Sequence, residues 1–210
     1  MSDGLVRGLD GRERCFWCVG DPLYESYHDD EWGRPSADDR ALFEKLCLEG
    51  FQAGLSWLTI LRKRENFRRA FADFDPAAVA RFGDNEVVRL LADPGIVRHR
   101  GKIEAAIANA RAACASIERE GSLANFLWRF APDPLRHRRP EGRADFAART
   151  QSPESRALAR ELKARGFRYL GPVTAYAFMQ AMGLVNDHLA GCPTGEICTA
   201  ARTTLLLTGQ

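Results

Sequence analysis

The chain has 210 residues, 45% of them hydrophobic and 28% charged, with a net charge of +2. That length suffices for a full core in one or two domains, and the composition is that of an ordinary globular protein rather than a polybasic tail. No run of about 18 apolar residues offers a membrane span, and the N-terminus MSDGLVRGLDGRER lacks the apolar stretch of a signal peptide. The six cysteines form no regular framework, which points to a reducing cytoplasm where thiols are free, catalytic or metal-bound.

Residues 1–13, rich in Gly, Asp and Arg, read as a disordered leader. Cys15 to Trp32 (CFWCVGDPLYESYHDDEW) is short on helical periodicity and dense in Cys, His, Trp and Tyr, so an irregular segment held by side chains is expected. Helices follow. Ser36 or Asp38 can cap the first, which carries LFEKLCLEGFQAGLSW (42–57). Leu42, Phe43, Leu46 and Ala53 recur at helical spacing and mark its core face, and Glu49 falls on that face, one turn past Leu46. The helical pattern continues over Leu58 to Phe71. Asp75-Pro76 is a cap followed by proline at the first helical position, and Asp84 starts a short helix. Ile96 to Ala115 opens with a basic turn around Gly101. Ser122 caps SLANFLWRF. Residues 131–151 read as a loop or insertion. Ser152-Pro153 caps a helix that Gly166 ends, and Pro172 to Met182, apolar almost all round, reads as a buried helix. Strand signals are nearly absent, so the fold class is all-α. A single α-helical domain is expected over 14–192, with a weakly structured tail over 193–210.

Three groups of residues carry possible chemistry. Two helices joined by Gly166-Phe-Arg-Tyr-Leu-Gly171 have the layout of a helix-hairpin-helix (about 153–182), in which backbone N–H groups meet a DNA phosphate; an ordinary helical hairpin has the same spacing. Cys15, Cys18 and His28 near one end, with His188, Cys192 and Cys198 near the other, offer zinc two ligand sets: four cysteines, or two cysteines with two histidines. Scattered free thiols are the plainer alternative. The aromatics Trp17, Tyr24, Tyr27, Trp32 and Trp57, together with Glu49, suit a flat cationic ring that stacks on Trp while a carboxylate meets its amine. Taken singly, such rings are usually core, and a Glu late in a helix usually has its head in solvent. Basic clusters at Arg62-Lys63-Arg64, Arg98-His99-Arg100-Lys102 and Arg136-Arg138-Arg139 can track a phosphate backbone or lie on solvated surface.

The blocks RCFW (14–17), DPLYESYHDDEWG (21–33), 42–71, IVRHRGKI (96–103) and GFRYLGPVTAYAFMQAMGLVNDH (166–188) with Cys192 resemble, in order and over nearly the whole chain, the 3-methyladenine DNA glycosylase I family of the helix-hairpin-helix superfamily. The resemblance implies an all-α base-excision repair enzyme in the bacterial cytoplasm, a monomer acting on alkylated double-stranded DNA and releasing free 3-methyladenine. It implies one structural zinc on Cys15, His28, His188 and Cys192, joining the N- and C-terminal segments and leaving Cys18 and Cys198 as bystanders. Glu49, Tyr27 and Trp57 become base-recognition residues, Glu49 the catalytic one, with Trp17, Tyr24 and Trp32 completing the pocket. Gly54 and Leu55 match the loop that wedges into DNA. Asp187 is a candidate water activator, better placed to support the adjoining zinc ligand. Residues 166–188 contain no lysine, so no lyase step is expected and the glycosylase is monofunctional. The rival is a non-catalytic zinc-stapled helix-hairpin-helix DNA-binding module, which has no use for an acid on an apolar face among aromatics.

Overall fold

The computed structural model describes residues 3–134 and 136–208. Among the described residues a two-stranded antiparallel hairpin, β1 (Leu5–Arg7) and β2 (Glu13–Cys15), precedes eleven α-helices: α1 (Pro22–Asp30), α2 (Asp39–Gln52), α3 (Trp57–Ala70), α4 (Pro76–Ala80), α5 (Asp84–Ala92), α6 (Arg100–Glu120), α7 (Leu123–Trp128), α8 (Arg143–Ala148), α9 (Pro153–Ala164), α10 (Pro172–Ala181) and α11 (Pro193–Thr208). No described helix is long and apolar enough to cross a membrane.

The helix starts follow local chemistry. Asp38, Ser56, Asp75, Ser122 and Ser152 each accept a hydrogen bond from an amide of the first turn that has no partner within the helix. Helix α2 is the hub and packs against α3, α6, α7 and α10. Leu42, Phe43 and Leu46 are fully buried on it, and Phe51 meets Phe67 and Phe71 of the α3 end in the core. Ala53 departs from the expected pattern: α2 ends at Gln52 and Ala53 is exposed in the following turn.

Helices α9 and α10 form the helix-hairpin-helix. Between them Gly166 has φ +93°, a left-handed conformation natural to glycine, and Tyr169 has φ +60°. The turn is pinned from inside by the buried Asn109 of α6, whose side-chain amide donates to the Arg168 carbonyl (3.2 Å) and whose oxygen accepts the Arg168 N–H (2.7 Å). Lys102, also buried on α6, donates to the carbonyls of Phe51 (2.9 Å) and Ala53 (2.5 Å) and so fixes the end of α2.

Four segments differ from the sequence-based expectation. The leader is ordered over its described part: β1 pairs with β2, and the Arg14 guanidinium is buried against Asp10 and Asp29. The Cys15–Trp32 segment contains α1, capped by Asp21 with Pro22 in its first turn. Its inward face is Tyr27 and His28, so a search for aliphatic periodicity passes over it. The 131–151 region contains α8, and the tail is α11, whose Cys198 and Arg202 are buried; residues 209–210 lie outside the described residues. Each segment packs on aromatic, cysteine or arginine side chains rather than on a stripe of aliphatics.

Replacing Asn109 with Leu removes both ties to Arg168 and leaves two part-buried backbone groups without their protein partner. A loss of about 1–3 kcal/mol is expected in denaturant unfolding. Amide exchange should quicken at 167–171, and unchanged stability and exchange would show that the turn holds itself.

Candidate base pocket and metal centre

A cavity of about 230 Å³ opens between α1, α2, the start of α3, α8 and α10. Its walls are Trp17, Tyr24, Tyr27, Trp32, Glu49, Gln52, Trp57, Phe146, Ala177 and Gln180. All six residues expected from the sequence to form a pocket therefore meet in one place. The rings are in mutual contact: Trp17 lies 5.0 Å from Tyr24 and 4.9 Å from Trp32, centroid to centroid, and Tyr27 lies 5.5 Å from Trp57. The indole N–H groups of Trp17 and Trp57 are buried without a hydrogen-bond partner in the protein. Donors left so are costly unless something else accepts from them.

Glu49 is 4% exposed, and no hydrogen bond among the described residues satisfies its carboxylate. Burial pushes its pKa up to about 7, against the opposing pull of Lys45 one turn earlier on α2. The Lys45 ammonium is itself buried, donates to the Tyr27 hydroxyl (3.1 Å), and stands 4.7 Å from the Tyr27 ring centroid and 4.5 Å from that of Trp57. The cavity wall thus holds an acid near neutrality and a box of aromatic faces. That combination matches a planar, positively charged, hydrogen-bonding ring.

Gly54 and Leu55 sit in the turn between α2 and α3, at the cavity's edge. Gly54 has φ +81° with open space around its Cα, and Leu55 is an exposed aliphatic. Gln52, in the cavity wall, donates to the Leu55 carbonyl (2.7 Å), which ties this turn to the pocket.

Behind Trp17 and Trp32, β2, α1 and the 186–192 segment bring Cys15, His28, His188 and Cys192 together, all buried, with their ligand atoms within 4.8 Å of one another. His28 Nε2 lies 3.2 Å from His188 Nδ1 and 3.6 Å from Cys192 Sγ, and both sulfurs lie 3.8 Å from His188 Nδ1. A tetrahedral ion with bonds of about 2.3 Å to sulfur and about 2.0–2.1 Å to nitrogen sets edges of about 3.3–3.8 Å, so the donor set fits a metal. Of the two ligand sets open in the sequence, the mixed one is assembled. Cys18 donates to the Cys15 carbonyl and Cys198 lies on the far ring nitrogen of His188, so neither joins the cluster. The hydrogen bond from Cys15, aided by both histidines, holds Cys192 far below the ordinary thiol range, and the same bond with burial drives Cys15 far above it.

The outer contacts orient both rings. His28 Nδ1 faces Asp29 (2.8 Å) and His188 Nε2 faces the Trp32 carbonyl (2.9 Å), leaving the other nitrogen of each for the metal. Gly33 is required here: a Cβ would meet His188 Nε2 at 3.0 Å, and its φ is +80°. The support expected of Asp187 comes instead from Asp29 and Trp32. Asp187 is buried facing away from the metal cluster, accepting from His137 (2.9 Å), Tyr176 (2.7 Å), Gln180 (2.8 Å) and Arg149 (3.2 Å). Burial alone would raise it, but these bonds, that from His137 foremost, hold it below the ordinary carboxylate range. Four donors occupy its oxygens, which leaves no place for a water.

The three basic clusters are spent largely on internal ties. Arg62 pairs with Asp21, Arg64 with Glu31, Lys63 reaches the Pro94 carbonyl, and Arg139 binds the carbonyls of His188, Leu189 and Cys192. A basic surface not signalled by clustering lies along the hairpin instead, where Arg156, Arg160, Lys163 and Arg168 border a groove with the 166–172 turn. Arg156, Arg160 and Lys163 are spaced about a helical turn apart on α9, and Arg168 follows in the turn, so they form no run in the sequence. Lys45, Gln52, Phe146 and Gln180 also escaped sequence reasoning; Lys45, four residues before Glu49, is the one that helical spacing could have flagged.

Residues 17–195 match the methyladenine glycosylase family. The chain is 48% identical over 182 residues to DNA-3-methyladenine glycosylase 1 of Escherichia coli, covering 86% of this chain and 95% of that protein. The DNA-3-methyladenine glycosylase of Haemophilus influenzae is 44% identical over 181 residues, covering 86% and 96%. A crystal structure of 3-methyladenine DNA glycosylase I superposes with a TM-score of 0.80 at 50% identity, covering 86% of this chain and 98% of that one. The 3-methyladenine DNA glycosylase I of Staphylococcus aureus, whose structure concerns 3-methyladenine recognition, gives 0.79 at 40% identity, covering 84% and 93%. The fold is therefore that of an all-α helix-hairpin-helix DNA glycosylase, and the chain belongs to the methyladenine glycosylase family.

Proposed function

We propose that this protein flips 3-methyladenine out of alkylated double-stranded DNA and hydrolyses its glycosidic bond, with Glu49 as the catalytic carboxylate. The observation that carries this reading is a buried carboxylate without a hydrogen-bond partner, set in a box of aromatic rings under a turn that presents an aliphatic side chain. Methylation at N3 makes adenine cationic, so the base leaves readily and needs no strong acid. When water attacks C1′, the bond from C1′ to the purine breaks, its electron pair neutralises the ring, and the water leaves its hydroxyl on C1′ and gives up its proton to bulk water. The protein's task is to hold the ring in its cationic form outside the stack. Glu49, ionised, pairs with the ring's positive edge; Trp57 and Tyr27 supply stacking faces; Trp17, Tyr24 and Trp32 close the walls. Leu55, on the Gly54 turn, fills the place the base leaves in the duplex.

DNA docks on the hairpin. The amides of Tyr169, Leu170 and Gly171 donate no hydrogen bond among the described residues, and α10 starts without a side-chain cap. Amides so placed meet a phosphate, with Arg156, Arg160, Lys163 and Arg168 alongside. Zinc is the ion we assign to Cys15, His28, His188 and Cys192; two thiols and two imidazoles in a closed, buried tetrahedron suit it, and its role is to staple β2 and α1 to the 186–192 segment. A pure DNA-binding module shares the hairpin and the staple, but it has no reason to hold an unsatisfied acid in an aromatic cavity. The lysine nearest this acid, Lys45, lies behind the Tyr27 and Trp57 rings rather than in the cavity lining. Cleavage without a Schiff base follows.

Incubation with methylated DNA should release free 3-methyladenine, and Glu49→Gln should cut that release at least about 100-fold. The same change removes a costly buried charge but also the carboxylate that offsets Lys45, so unfolding of the variant is measured beside the parent to separate folding from the loss of base release. DNA binding with no base released would favour the binding module, and full activity in Glu49→Gln would remove the role given to the carboxylate. The purified protein should carry close to one zinc per chain. Cys192→Ser should lose the ion and lower Tm by about 6–12 °C, the shift that about 3 kcal/mol produces in a chain of this size. A metal-free protein of unchanged Tm would contradict the staple.

A further inference from the structure

Lys45 is a buried cation beside the base pocket, behind the Tyr27 and Trp57 rings, and the reaction described above gives it no part. It is 8% exposed, a turn away from Glu49 on α2, and no carboxylate among the described residues lies within ion-pair distance of it. Its recorded contacts are the Tyr27 hydroxyl at 3.1 Å and the faces of Tyr27 and Trp57. A methionine would fill this space without the cost of burying an ammonium, so the charge needs an explanation of its own. We propose that Lys45 is a positioning residue for base release: its ammonium keeps Glu49 anionic inside the aromatic box and commits the Tyr27 hydroxyl to donating its proton into the pocket. This rests on the reading of Glu49 as the carboxylate that holds the cationic base.

Two arguments support it. The first is hydrogen-bond bookkeeping. An ammonium has three donors and no acceptor, so the Tyr27 oxygen must accept from Lys45. The phenolic proton then points elsewhere, and no other partner of that hydroxyl exists among the described residues. Tyr27 lines the cavity, so its proton is available to a ring nitrogen or to Glu49. The second is electrostatic. Tyr24, Tyr27 and Glu31 face the pair from α1 and its C-terminal end, Arg64 from α3 and Glu44 from α2 itself. Glu31 is already paired with Arg64, and Glu44 with Arg68, so Glu49 is the carboxylate left to Lys45. Burial raises Glu49 to about 7 and lowers Lys45 to about 8, each against the pull of the other. Removing the ammonium therefore raises Glu49 further, and the acid becomes neutral where the enzyme works. The arrangement also fixes the stacking geometry. One face of Trp57 is occupied by the ammonium, so a flipped base has the opposite face.

The test is the pH profile of single-turnover base release from methylated DNA, measured as kcat/KM over about pH 5.5–9, for the parent, Lys45→Met and Lys45→Arg. The acid limb of the parent should fall near the Glu49 value. In Lys45→Met that limb should move to higher pH, with a loss of at least tenfold at the acid end that narrows as the pH rises; Lys45→Arg should restore the parent profile. Thermal unfolding of each variant separates folding from electrostatics, and Lys45→Gln replaces Lys45→Met if the latter does not fold. A uniform loss at every pH with an unmoved acid limb would overturn the proposal, as would full activity in Lys45→Met. Absence of 3-methyladenine release by the parent at all pH values would instead remove the reading on which it rests.

Discussion

The site depends on one costly arrangement, the Glu49 carboxylate held away from water on the core face of the hub helix. Leu42, Phe43 and Leu46 turn that face inward to complete the core, and Glu49 is carried in with them. No described residue hydrogen-bonds to it. Its raised pKa states the cost in terms of linkage: the fold holds a proton there that the unfolded chain gives up, so stability falls as pH rises from the ordinary 4.5 through about 7. A positively charged ring repays this only when it arrives. The pocket is thus poorly satisfied without its ligand, as the unpartnered indole N–H groups of Trp17 and Trp57 also show.

The surrounding structure restrains the elements that bear on this carboxylate. Lys102 holds the last carbonyls of α2 and so sets where the Gly54–Leu55 turn begins. Asn109 holds the hairpin turn against α6. The Cys/His cluster holds β2 and α1 against the 186–192 segment, and with them Trp17, Tyr24, Tyr27 and Trp32, which sit within a few residues of Cys15 and His28. Lys102 and the Cys/His cluster thus restrain the elements that wall the cavity, the support that a site needs if it is to bind a rigid ring, while Asn109 sets the hairpin turn.

What was legible in the sequence divides along physical lines. Glu49 could be singled out by its spacing with Leu42 and Leu46, but the spacing alone favours a head in solvent, and the aromatics of 17–32, the hairpin and the family resemblance are needed to make it a pocket residue. The hairpin could be read because Ser152-Pro153, Gly166 and Pro172 mark helix ends by local rules. The choice between four thiols and a mixed set could not be made by spacing, since it depends on contacts between residues more than 150 positions apart, such as His28 with His188. Strand β1, helix α1 and helix α11 were missed because they pack through arginines, aromatics and cysteines, which leave no aliphatic stripe. The basic surface of the hairpin was missed because Arg156, Arg160 and Lys163 are gathered by the helix and not by the chain. Asp187 was assigned to the metal because it adjoins His188 in sequence, yet successive side chains point apart, and its carboxylate serves Tyr176, Gln180, His137 and Arg149.

The central claim is that an ionised Glu49 pairs with the positive ring in this pocket. Calorimetric binding of 3,9-dimethyladeninium, a permanently cationic analogue whose N9 stays alkylated, to the parent protein and to Glu49→Gln tests it without DNA or turnover. The account predicts that the variant stays folded while its affinity drops by more than about tenfold, the loss of about 1.4 kcal/mol or more expected when a buried charged partner is neutralised. Equal affinities in the two proteins would contradict it.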